Sequence, residues 1–325
     1  MSRRSRLAPA AVTAALAAAA FALSSCTPTS HAIVPSSLGV ARSSADLEAV
    51  VDRPGPVVVE TVVGADWEVP RAGLINLDNP RAKEAKLADG PEPIIIMLHA
   101  LHHPAFGLYI VDTGVEHALR DDPDHAALRG LAADVMGVDK IRVRTDTASW
   151  IAEQKEPVRG VFLTHMHLDH IAGLRDVPSS AQVFTGPGEA SAGGFVNAFV
   201  RGPTDAALEG KGDIHEWGYK PEPSGAFEAV VDVFGDGTVW AISVPGHTAG
   251  STAYLARTPE GPVLFTGDAS HTVWGWRNGV EPGSFSADRP RSAKNLERLR
   301  AFAARHPRVD VRLGHQELPP PARSP

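Results

Sequence analysis

The stretch Val161–Leu174, VFLTHMHLDHIAGL, decides how this chain is read. It opens on an apolar run and then places His165, His167, Asp169 and His170 within six residues. The run reads as a buried strand. In extended backbone alternate residues share a face, so His165 and His167 point to one side. Asp169 and His170 follow where DHIAGL turns towards a helix. Two donors on one side and two around a turn suit two adjacent cations, and imidazole and carboxylate are good ligands for zinc and similar divalent metals. A lone His-x-His is common on surfaces and helix caps; His-x-His-x-Asp-His is far more specific.

Four other positions share this context. His247 lies in SVPGHTAGS, Asp268 in LFTGDAS, His315 in VRLGHQE and Asp112 in IVDTG, each directly after an apolar, strand-like run. Residues at strand ends can converge on one sheet edge, where loops leave room for a ligand. Histidines buried only for packing have no reason to recur at that position.

Strands are expected at 55–63, 92–98, 106–112, 159–164, 181–186, 238–244, 261–267 and 308–314. Helices are expected at 45–51, 124–137, 146–154 and 292–306; in the last, Leu296, Leu299, Phe302 and Ala303 form one stripe. Strands mixed with interspersed helices indicate an α/β or α+β layered domain.

Composition is that of a globular protein: of 325 residues 43% are hydrophobic and 21% charged, with a net charge of −7. The acidity and the lack of a basic block beyond the first residues argue against a nucleic-acid partner. The N-terminus, MSRRSRLAPAAVTAALAAAAFALSSC, has three arginines and then an Ala/Leu stretch too short for a good membrane span, so residues 1–25 read as a secretory signal. Its end, LSSC, resembles the bacterial lipobox, which implies lipidation of Cys26. Cys26 is the single cysteine, so it has no disulfide partner to offer. The expectation is an exported cell-envelope lipoprotein, held to a membrane by that lipid alone. Residues 26–50 read as the lipidated cysteine and a Ser/Pro/Ala-rich tether, 51–317 as the catalytic domain and 318–325 as a disordered tail.

With THMHLDH (164–170), PGHT (245–248), GDAS (267–270), GH (314–315) and the earlier VDTG (111–114), the chain resembles the metallo-β-lactamase-fold hydrolase superfamily over roughly residues 90 to 316. The resemblance implies an αββα sandwich: two mixed β-sheets flanked by helices, with a two-metal site on one edge. Carried over, one metal takes His165, His167 and His247, the other takes Asp169, His170 and His315, and Asp268 bridges them. Asp112 supports the site without being a ligand. The implied chemistry is a zinc-dependent hydrolase whose metal-bridging hydroxide opens lactones or cleaves related carboxylic esters, with Asp169 also orienting the nucleophile.

A carboxylate at Asp268 looks more like lactonases, glyoxalase II-type thioesterases and phosphoesterases than like the true β-lactamases. In acyl-homoserine lactonases the matching Asp-Ala-Ser precedes a tyrosine that holds the substrate carbonyl; here it precedes His271. An imidazole could donate the same hydrogen bond or protonate a leaving oxygen, or simply face solvent. Ser251 stands where many relatives carry another histidine. Trp274, Trp276 and Phe285 either wall an acyl pocket or staple their own loop, the second being the simpler reading. His102 and His103 read as loop residues. Of the other classes, an iron-dependent oxidoreductase on this fold is disfavoured: no early histidine is replaced by glutamate and no flavin domain is visible. A binding protein on this fold tends to lose ligands, and none is lost here.

Overall fold

A computed structural model of the chain describes residues 27–193 and 195–319. The expected signal, Cys26 and the last tail residues lie outside them.

The described strands form two sheets. The larger is built from β1 (Ile33–Pro35), β3 (Val58–Pro70), β4 (Pro91–His103), β5 (Gly107–Val111), β6 (Arg142–Val143), β7 (Val158–Phe162), β8 (Gln182–Thr185) and β9 (Ile214–Glu216). Its order is β1-β9-β8-β7-β5-β4-β3-β6, parallel from β5 to β1 and antiparallel on the other side. The smaller combines β2 (Val40–Arg42), β10 (Val230–Asp232), β11 (Val239–Ser243), β12 (Thr252–Arg257), β13 (Pro262–Phe265) and β14 (Asp310–Arg312) in the order β14-β13-β12-β11-β10-β2. Both sheets are mixed.

The strands read as continuous apolar runs because both of their faces are covered. In β11, Val239 and Ala241 face the other sheet, while Trp240 and Ile242 face an outer helical layer. β7 alternates likewise: Phe162 joins Tyr254 and Phe265 between the sheets, and Val161 joins the outer core with Leu168 and Ile171. The helix Arg289–Arg305 covers the smaller sheet with Leu296, Leu299 and Phe302, all buried, and Ala303 half-buried beside them. Asp288 caps it by accepting the Arg291 N–H at 3.0 Å, and a proline occupies its first turn, where no partner for an N–H is lost. Helix, sheet, sheet, helix is the expected αββα sandwich.

Three expectations are corrected. The tether read across 26–50 joins the fold from Thr29 onward, where buried Thr29 and the Ser30 N–H donate to Asp205. β1 pairs with β9, β2 pairs with β10, and the helix Ser44–Val50 follows a Ser43–Asp46 capping box and buries Leu47. Strands of three residues are too short to show a period, so a Ser/Pro-rich composition hid them. The helix expected over 124–137 is broken. A short turn at Pro123–His125 is followed by buried Ala126–Leu128, where Glu116 accepts the Ala127 N–H at 2.6 Å, and the helix spans only Gly130–Met136. The expected tail begins too early, since Leu318 packs on the outer core of the smaller sheet. Among the described residues no helix is long and apolar enough to cross a membrane.

Candidate metal centre

Each of the seven expected ligands, and Asp112, lies shortly after a strand end. β7 leads to His165 and His167, and the short helix Leu168–Ile171 carries Asp169 and His170. β11 leads to His247 through a turn that needs glycine. Gly246 has φ +143°, and a Cβ there would lie 2.4 Å from the Ser292 backbone nitrogen, at the start of the long helix. β13 leads to Asp268 and β14 to His315. Gly314 lets those last two meet, because a Cβ on it would fall 2.1 Å from Asp268 Oδ1.

Asp268 is the hub. Its Oδ2 lies 3.5 Å from His165 Nε2, 3.4 Å from His170 Nε2, 3.3 Å from His247 Nε2 and 3.0 Å from His271 Nε2. Its Oδ1 lies 3.4 Å from His315 Nε2. Donor atoms of His165, His167, His247 and Asp268 gather within 4.8 Å of one another, as do those of Asp169, His170 and His315. The sequence-derived ligand set is therefore assembled in two neighbouring groups.

The ring nitrogens facing away from the centre are held. His170 Nδ1 is 2.8 Å from Asp112 Oδ2, His315 Nδ1–H donates to the Ile95 carbonyl at 3.0 Å, and His247 Nδ1 meets Ser286 Oγ at 3.1 Å. Such partners fix the tautomer and aim the other nitrogen inward. Inward-facing nitrogens then crowd together: His247 Nε2 lies 2.9 Å from His167 Nδ1, and His170 Nε2 lies 3.3 Å from His315 Nε2. His165 Nε2 and Asp268 Oδ1 are buried with no hydrogen-bond partner. Orphaned acceptors around one point are what a cation satisfies, so the residues present fit divalent metals.

Electrostatics agree. Burial, aided by the neighbouring imidazoles, holds His165 and His247 well below the usual histidine range, so they stay neutral donors. Burial opposes ionisation of Asp268, but His271, His315 and His170 outweigh it and hold its carboxyl well below the ordinary value. Burial also opposes protonation of His315, yet Asp268 and Asp169 push it up to about 10. Two ionised carboxylates thus attract positive charge to this spot.

Asp112 occupies a left-handed backbone (φ +54°) and accepts the Thr164 N–H at 2.8 Å while facing His170. Strain of that kind gathers at functional sites. Sequence reasoning missed Glu189. This buried carboxylate accepts the Met166 N–H and the Gly250 N–H, each at 2.8 Å, and so joins the loop of His165 and His167 to the loop after His247. Its visible signal was an acid in a Gly/Pro-rich loop after β8. Ser251 proves to lock the His247 turn, its Oγ accepting the Thr248 N–H at 2.9 Å.

His271 does not face solvent; it is 1% exposed. Trp274 and Trp276 lie on the helix Val273–Asn278 and pack against the two outer cores, the stapling arrangement, whereas Phe285 stays exposed beside Gly73. His102 and His103 belong to β4 and not to a loop. His102 pairs with Glu156 at 3.3 Å and His103 with Asp236 at 3.1 Å, both away from the cluster.

The sequence profile of the Metallo-beta-lactamase superfamily matches residues 107–315. The chain belongs to the metallo-β-lactamase superfamily. As a superfamily member it is a metal-dependent hydrolase. It is 27% identical over 253 residues to the N-acyl homoserine lactonase AttM of Agrobacterium fabrum, covering 73% of this chain and 87% of that one. Its fold resembles that of B. thuringiensis AiiA with N-decanoyl-L-homoserine bound (TM-score 0.55, 17% identity, 79% of this chain and 92% of that one). It also resembles AidC, a dizinc quorum-quenching lactonase in complex with its N-hexanoyl-L-homoserine product (TM-score 0.53, 14% identity, 88% and 96%).

Proposed function

We propose that this superfamily member is a zinc-dependent lactonase acting on acyl-homoserine lactones or similar lactones and esters. The observation that carries the proposal is the position of Asp268. A single carboxylate reaches His165 and His247 of one donor group and His170 and His315 of the other. A site so joined suits two cations acting together, and the named lactonase relative supports the substrate class.

His165, His167 and His247 would hold one zinc and Asp169, His170 and His315 the other, with Asp268 shared. Bound there, the metals supply Lewis acidity and bring a water's pKa towards neutrality. The chain's own residues do the rest. Asp268 balances charge and fixes the spacing of the two groups. Asp169, its Oδ2 3.2 Å from His315 Nε2 and its side chain the less buried of the two carboxylates, can accept the attacking water's proton and aim its lone pair at the carbonyl. Asp112 and the Ile95 carbonyl keep His170 and His315 in the tautomers that face inward.

The test is a panel on zinc-reconstituted protein: acyl-homoserine lactones, simple lactones, acylglutathione thioesters, phosphotriesters and β-lactams. Lactones are expected to lead in kcat/KM. Dominant turnover of thioesters or phosphotriesters would move the protein to those classes, and dominant β-lactam turnover would overturn the reading of Asp268.

A further inference from the structure

His271 stands outside the seven donors assigned above, yet it is built like one of them. Its Nδ1–H donates to the Leu74 carbonyl at 3.0 Å. A carbonyl only accepts, so Nδ1 carries a proton and Nε2 is the ring nitrogen turned towards the centre. That Nε2 lies 3.0 Å from Asp268 Oδ2. An imidazole nitrogen held against a carboxylate oxygen, in a ring shielded from bulk water, calls for a cation with them, either a proton on Nε2 or a metal.

His315 has the same construction. Its Nδ1–H is fixed by the Ile95 carbonyl and its Nε2 faces Asp268. The two rings lie parallel within 7°, their centroids 5.6 Å apart, and donor atoms of Asp268, His271 and His315 fall within 4.8 Å of one another. On its other side His271 stands edge-on to His247, with centroids 5.0 Å apart. The imidazole therefore sits between the two donor groups, on the carboxylate that joins them.

We propose that His271 is itself a metal ligand, giving Nε2 to a cation shared with Asp268 and His315. The inference rests on the two-cation part of the function proposed above and not on its lactone substrate. It replaces the role expected from sequence: an Nε2 committed to metal is not a donor to a substrate carbonyl.

The full chain is stripped with a chelator, reloaded with zinc or cobalt(II), and compared with His271→Gln for metal per chain, affinity in a chelator competition and the cobalt visible spectrum. The variant is expected to change the cobalt spectrum and to lose affinity by more than the roughly 10–100-fold that removal of a mere supporting partner costs. A crystal structure of the zinc-loaded wild type decides the matter even if the variant does not fold. Nε2 of His271 within about 2.0–2.1 Å of zinc is the expected result. Nε2 outside bonding distance, or a variant with the wild-type spectrum and a smaller loss, makes His271 a hydrogen-bonding neighbour of Asp268 and overturns the proposal. No substrate is used, so a chain that binds metal through His271 but opens no lactone would refute the activity and leave this inference intact.

Discussion

Asp112 Oδ2 lies 2.8 Å from Nδ1 of His170, and the residue that makes this contact holds a left-handed backbone, φ +54°. The same carboxylate accepts the Thr164 N–H, so it braces both ends of the segment that carries His165 and His170. Asp112→Asn tolerates the backbone but removes the charge. It is expected to stay folded and bind metal about 10–100-fold more weakly. Chelator competition and a thermal melt measure the two effects separately, and unchanged affinity would show that the contact serves folding alone.

Asp169 tests the division into two donor groups. It gathers with His170 and His315, apart from the group of His165, His167 and His247. Asp169→Ala should fold, lose hydrolysis and retain about one metal fewer per chain, as read by elemental analysis after dialysis. Metal content equal to wild type would show that Asp169 is not a ligand.

Glu189 links two ligand loops through backbone N–H groups alone. Glu189→Ala leaves the Met166 and Gly250 N–H groups buried without a partner, at a cost of about 1–3 kcal/mol for each. Denaturant unfolding should show that loss. The variant should also bind metal more weakly, because His165, His167 and His247 no longer share a brace. A variant as stable as wild type would mean that water replaces the carboxylate.

Why the sequence disclosed the donors but not their supports follows from these residues. Each expected ligand follows a strand set in an apolar run that the sequence displays, so the ends of β7, β11, β13 and β14 could be lined up. Glu189 serves backbone groups, which carry no residue-type signature. His271 was visible, but its direction depends on the Leu74 carbonyl, 197 residues away in sequence. The three-residue strands β1, β2, β9 and β10 are held by neighbours and not by any period of their own.

Export is a separate prediction, resting on the LSSC motif and the basic, Ala-rich stretch before it. Cys26→Ser should abolish incorporation of labelled palmitate and release the protein from the membrane fraction. A Cys26→Ser protein that still sediments with membranes would end the lipoprotein proposal.

His99 predicts how the fold responds to acid. Its ring is buried on β4, with Nδ1 2.8 Å from Thr61 Oγ1 and its face 4.6 Å from Phe265. Burial, reinforced by the charges of Arg312 and His170, lowers its pKa from 6.5 to about 3. The unfolded chain therefore takes up a proton near pH 6.5 that the folded chain refuses until about pH 3. The stability tied to a neutral His99 is complete above pH 6.5 and is lost as pH falls towards 3, at up to about 1.4 kcal/mol per pH unit. His99→Gln has no proton to gain. Other titrations common to both proteins cancel in the difference between wild type and variant. Denaturant unfolding from pH 7 down to pH 4.5 should show the wild type losing stability more steeply than His99→Gln; parallel curves would mean that the folded protein takes up the His99 proton as readily as the unfolded chain.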